Sequence, residues 1–94
     1  MTVKEAEERY LKIRPEYIET AINTIDREME FQPPECIAID GKLFHQWSIY
    51  MGELNRVETE FVMNYCEMLG FTVIPDDFVS DFLKKRCYLL HIRF

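Results

Sequence analysis

The sequence predicts an α+β domain: a small three-stranded sheet covered by two long helices, in the order α-β-α-β-(short α)-β. Three observations lead there. First, Leu54, Val57, Phe61, Tyr65 and Met68/Leu69 recur at steps of three and four, the spacing of one helix face, within residues 53–71. Second, Tyr88, Leu90, Ile92 and Phe94 alternate with Cys87, Leu89, His91 and Arg93, the period of a strand. Third, Pro33-Pro34 separates a helical N-terminal stretch from everything after it. The chain of 94 residues is short enough to be one domain (1–94), with an N-terminal helix over 2–30, a linker over 32–35 and an α/β body over 36–94.

Thr2-Val-Lys-Glu5 fits a capping box that opens the first helix. Val3, Ala6, Tyr10, Ile13, Tyr17, Ala21, Ile25 and Met29 then hold one helical register through Pro15. An unbroken register favours one long kinked helix. The alternative is a break near Ile13–Arg14, with Pro15 in the first position of a second helix. Cys36–Asp40 reads as a short strand. Asp40-Gly41 is a turn signal that can close a hairpin, making 43–47 a second strand. Leu43, Phe44, Trp47, Tyr50/Met51 and Leu54 also extend a helical register, and the preferred reading is one helix from about Leu43 to Leu69, weakened at Gly52. Gly70 is placed for a left-handed helix cap. Phe71–Ile74 follows as a strand, parallel pairing with 36–40 being open to it through the helical crossover. Beyond Pro75, Asp76 or Asp77 caps a short helix bearing Phe78, Val79, Phe82 and Leu83, with Lys84, Lys85 and Arg86 in its last turn.

Composition narrows the function. The net charge of −6 disfavours direct nucleic-acid binding, since phosphate contacts require clustered Lys and Arg. The charge is uneven: net −3 over 1–30, −4 over 31–70 and +1 over 71–94. No run of apolar residues is long enough to cross a membrane, and the charged Met1–Glu8 stretch does not read as a signal peptide. Cys36, Cys66 and Cys87 are odd in number and widely spaced, which fits reduced thiols and a cytoplasmic protein.

The chemistry-bearing residues are few. His45 and His91 stand in no metal-ligand spacing and no Cys-x-x-Cys occurs, so no metal or other cofactor is expected. Three glycines leave no phosphate-cradling loop. Asp76, Asp77 and Asp81 are better explained by a helix cap than by a cation. Cys87 and His91 share a strand face at a spacing of four, which offers a weak Cys–His pair. Two surfaces remain. Glu53, Glu60 and Glu67 repeat every seven residues, about 10 Å apart along a helix, with Glu58 nearby. Trp47 and Tyr50, beside Phe44, form an aromatic group, and Tyr10 and Tyr17 sit a heptad apart.

The layout resembles small bacteriophage-encoded proteins. The matching pieces are Met1–Ala6, the strand ending in Asp40-Gly-Lys-Leu43, the helix closing on Leu69-Gly-Phe-Thr-Val73, and Tyr88–Phe94. The Pro33-Pro34 linker, Trp47 and the segment 76–85 depart from that pattern. The resemblance implies an inhibitor of a host or defence protein and supplies no site residues. The resulting expectation is a non-enzymatic protein-binding module that meets a host or defence protein through Glu53, Glu58, Glu60, Glu67, Trp47 and Tyr50. In its sharper form the carboxylates imitate nucleic-acid phosphates. The alternatives are a self-associating assembly protein, a homodimer held by Tyr10 and Tyr17, and a small-molecule binder or enzyme using Cys87 and His91.

Overall fold

The structure, a computed structural model, describes the backbone of residues 1–94 and the side chains of all but Glu7, Glu8 and Tyr10. The described residues form α1 (Val3–Tyr10), α2 (Pro15–Phe31), β1 (Glu35–Ile39), β2 (Lys42–Tyr50), α3 (Arg56–Met68), β3 (Thr72–Ser80) and β4 (Lys85–Arg93). The sheet is four-stranded and antiparallel throughout, in the order β1-β2-β4-β3. The α+β class is as expected, but the sheet has one strand more than expected and the helical content is redistributed.

Each revision has a local cause. The N-terminal helix is not continuous: Arg14 is extended (φ −116°, ψ 98°) and Pro15 begins α2. A residue before proline avoids the helical region, while proline at a first helical position has no N–H to lose. Thr2 Oγ1 accepts from the Glu5 N–H at 3.2 Å, one of the two hydrogen bonds of the expected capping box. Residues 43–50 are strand, not helix. Asp40 and Gly41 both take positive φ (49° and 80°), the two-residue turn whose twist suits a hairpin, so β1 folds straight back on β2. Gly52 (φ 62°) then turns the chain before α3. The helix announces its start through Asn55, whose side chain accepts from the Glu58 N–H while Glu58 accepts from the Asn55 N–H.

The C-terminal end of α3 meets expectation. Gly70 (φ 97°) closes it, with Phe71 N–H donating to the Cys66 carbonyl and Gly70 N–H to Glu67. The expected short helix over 76–83 is absent among the described residues. Its first part continues β3 through Pro75, which an edge strand tolerates, and 81–84 form the turn into β4. Lys84 to Arg86 therefore lie in a hairpin rather than at a helix terminus. The parallel pairing left open for 36–40 and 71–74 does not occur; β1 and β3 are opposite edges.

Both long helices pack on one face of the sheet. Ile25 of α2, Val62 and Cys66 of α3, and Leu90 and Ile92 of β4 are fully buried together, with Ile49, Met51, Leu54 and Val73 around them. Each such aliphatic side chain contributes roughly 1.5–3 kcal/mol by leaving water. The buried stripe of α3 is Glu58, Thr59, Val62 and Cys66. The expected stripe through Phe61 and Met68 is instead 49% and 86% exposed. A helix that starts at Arg56 rather than near Leu43 owes no register to the strand before it, and a one-residue shift turns the face by about 100°.

Candidate functional site

Strand β2 organises the most accessible chemistry. His45 and Phe94 exchange both backbone hydrogen bonds at 3.0 Å. Odd-numbered residues of β2 are therefore the hydrogen-bonded pairs with β4, and Gln46, Ser48 and Tyr50 point their main-chain groups the other way. On that side β1 pairs only as far as Glu35↔Gln46, and Pro33-Pro34 stops it from continuing. The N–H and C=O of Ser48 and Tyr50 thus face an edge that no strand of the sheet occupies.

Beside this edge lies a groove of about 430 Å³. Tyr17, Thr20, Ala21 and Thr24 form its α2 wall, at the spacing of one helix face; Tyr50 and Leu54 stand opposite. Thr20 and Thr24 donate their hydroxyls to the carbonyls of Glu16 and Thr20, which leaves their methyl groups free to line the wall. Glu53 is the acidic residue of the lining. Tyr17, Tyr50 and Glu53, singled out in the sequence for three unrelated reasons, meet here. The Arg14 guanidinium lies 3.9 Å over the Tyr17 ring and holds it in place.

The sheet face away from the helices carries a directed chain of polar groups. Gln46↔Arg93 and Ser48↔His91 are non-hydrogen-bonded pairs, whose side chains stand closest across an antiparallel sheet. Arg93 Nε donates to Gln46 Oε1 at 2.6 Å. Arginine has only donors, so this bond fixes the amide and aims Gln46 Nε2 at Ser48 Oγ, 3.1 Å away. Ser48 Oγ in turn lies 2.8 Å from His91 Nδ1, and Gln46 Nε2 lies 3.2 Å from it. A hydroxyl held on an imidazole nitrogen is the arrangement of a base-activated nucleophile. Asp76, however, is 3.7 Å from His91 Nε2, beyond hydrogen-bond reach, and both Ser48 and Asp76 are exposed. Stabilising a transition-state charge requires preorganised donors in a water-excluded site, and the groove includes none of Ser48, His91 and Asp76.

The other sequence candidates scatter. Glu58 is completely buried and cannot meet a partner: its oxygens accept from Arg14 Nη2 (2.7 Å), Arg14 Nε (3.0 Å), Arg14 N (2.8 Å) and Asn55 N (3.1 Å). Burial pushes this carboxyl up, but the Arg14 guanidinium and the two backbone N–H groups outweigh it and hold the carboxyl below its ordinary value. Glu60 and Glu67 remain exposed on α3, Glu60 3.6 Å from Arg56. Glu53 precedes the helix, so the seven-residue repeat is not one stripe. Trp47 is half-buried, its Nε1 donating to the Gln32 carbonyl at 2.9 Å and its rings stacked on Phe94. Tyr10 lies outside the described side chains.

Cys87 and His91 share a face but do not pair, because four strand residues span about 13 Å. Cys87 is buried and its Sγ accepts from Tyr50 Oη at 3.4 Å. Cys66 is also buried, which pushes its thiol up to about 11. Among the described residues no cluster of three or more His, Cys, Asp or Glu side chains is placed to hold a metal, and no helix is long and apolar enough to cross a membrane. Sequence reasoning missed Arg14 and Asn55. Asn55-x-x-Glu58 was a legible cap signal; the Arg14–Glu58 contact, spanning 44 positions, carried none. No family model, curated protein or solved structure matches the chain; the resemblance to small phage proteins therefore rests on the quoted residues alone.

Proposed function

We propose that the chain is a non-enzymatic protein-binding module that takes up an extended segment of its partner as an added strand on β2. The observation that carries this reading is the β2 edge at Ser48–Tyr50, which no strand of the sheet pairs, lying beside the groove between α2 and the end of β2. Strand addition uses main-chain hydrogen bonds for affinity and a neighbouring groove for alternate side chains. The groove accepts apolar side chains against Ala21, Leu54 and Tyr17, and Glu53 favours a basic residue at one end. The exposed Glu60 and Glu67 steer a basic partner without touching the segment.

The test is selection of peptides from a random display library, followed by affinities on variants. Ser48→Pro removes an N–H that the β2–β4 ladder does not use, and Ala21→Trp fills the groove. Either is expected to weaken binding at least about tenfold, the worth of one or two lost hydrogen bonds or a blocked pocket. Changing Glu60 and Glu67 to Gln together is expected to alter only the salt dependence. Binding abolished by the Glu60/Glu67 change and indifferent to Ser48→Pro and Ala21→Trp would return the site to the acidic face of α3 and overturn this reading.

A further inference from the structure

The eleven basic residues of this acidic chain are not spread evenly. Arg9, Lys12, Arg14, Arg56, Lys85 and Arg86 line a single cleft of about 710 Å³. They arrive from four separate places: the end of α1, the α1–α2 linker, the first turn of α3 and the start of β4. Among the described residues, Glu53 is the one acidic residue of that lining. Gathering six cations in a molecule of net charge −6 costs mutual repulsion that an internal carboxylate or a bound anion must offset.

For the five cations other than Arg9, the described carboxylates offset only part of it. Glu58 is spent on Arg14, and Asp77 takes Arg86 at 2.7 Å. Glu60 reaches Arg56 only at 3.6 Å, with both side chains more than half exposed. Among the described residues, Lys12 and Lys85 have no side-chain hydrogen bond or ion pair. The first turn of α3 is already capped by Asn55 and Glu58, so the positive potential comes from side chains rather than from a helix terminus. Leu11, Leu54 and Tyr88 supply an apolar and aromatic part to the lining. The volume is that of a small-ligand site.

We infer that this cleft binds a small, phosphate-rich anion carrying a flat ring, of the nucleotide class. Lys12, Lys85 and Arg56 hold the phosphates, and Tyr88 meets the ring. The site is separate from the strand-addition edge and does not depend on it.

The experiment is calorimetric titration of the full chain with sodium tripolyphosphate and with ATP at low salt. One equivalent of each is expected to bind, ATP the tighter. Lys12→Gln with Lys85→Gln is expected to weaken both about tenfold, two exposed charge contacts being lost. Lys4→Gln with Lys42→Gln, outside the cleft, is expected to change neither, and Tyr88→Leu to remove only the advantage of ATP. Circular dichroism establishes that each variant is folded. No binding of either anion, equal weakening by the Lys4/Lys42 pair, or binding of a long oligonucleotide without binding of the small anions would each overturn the inference.

Discussion

Glu58 and His91 are both titratable side chains held by groups distant in the sequence, and they differ in how completely they are held. A carboxylate offers about four acceptor positions, and the two oxygens of Glu58 receive four N–H donors, three of them from Arg14. Nothing is left for a partner. His91 Nδ1 lies 2.8 Å from Ser48 Oγ and 3.2 Å from the buried Gln46 amide, while its Nε2 faces Asp76 across 3.7 Å, and both Ser48 and Asp76 are exposed. A saturated, buried network locks α1–α2 onto the start of α3; a looser one, buried at Gln46 and exposed at Ser48 and Asp76, leaves a surface that a ligand can complete. In this molecule, saturation rather than residue type separates structural polar groups from available ones.

The sharpest way to break the comparison is Arg14→Leu. It leaves a buried carboxylate with half its donors and is expected to cost roughly 2–3 kcal/mol in urea unfolding, less than a fully buried pair because 32% of the Arg14 side chain stays in water. Glu58→Gln keeps the cap without the charge and is expected to cost less, and the double variant less than the sum of the singles.

Acid comes next. The folded state holds the Glu58 carboxyl below its ordinary value of 4.5, so its stabilisation is complete above that pH and is lost as the pH falls through the depressed folded value. The melting temperature of the wild type is therefore expected to fall more steeply below about pH 4.5 than that of Glu58→Gln. Parallel slopes would show that other carboxylates carry the acid sensitivity.

Thr59 sharpens the contrast from the opposite side, since its Oγ1 is buried with no hydrogen-bond partner. Thr59→Val keeps the shape and removes the unpaired hydroxyl; it is expected to raise stability by about 1 kcal/mol. A loss of stability would mean that the hydroxyl is satisfied in solution. The smallest effect belongs to the open network. His91→Ala is expected to cost within about 1 kcal/mol, read by the same urea titration. A cost as large as that of Arg14→Leu would erase the distinction between the two networks.

Signals that concern backbone angles over four or five residues were legible in the chain. The Thr2 cap, the Asp40-Gly41 turn, Gly70 at the end of α3 and the alternation of 87–94 all act within one turn or one strand, and each is where those residues ask for it. Asn55-x-x-Glu58 belongs with them and would have separated β2 from α3 had it been weighed against the apolar spacing. Pro15 was legible as a helix start as well, although the apolar register running through it pointed to a single helix.

The tertiary structure decided the rest, because the deciding partners lie far away in sequence. Residues 42–50 satisfy either a helical or a strand period, and only pairing with β1 and β4 selects the strand. Segment 76–80 is strand because β4 supplies its ladder. Glu58 is internal because Arg14 reaches it across 44 positions. The candidate sites follow the same rule: the free edge exists because β1 ends early, and the basic cleft because four separate segments converge. Local propensity sets what a segment is able to become; long-range pairing and burial select among those options, since they determine which backbone groups and charges lose water.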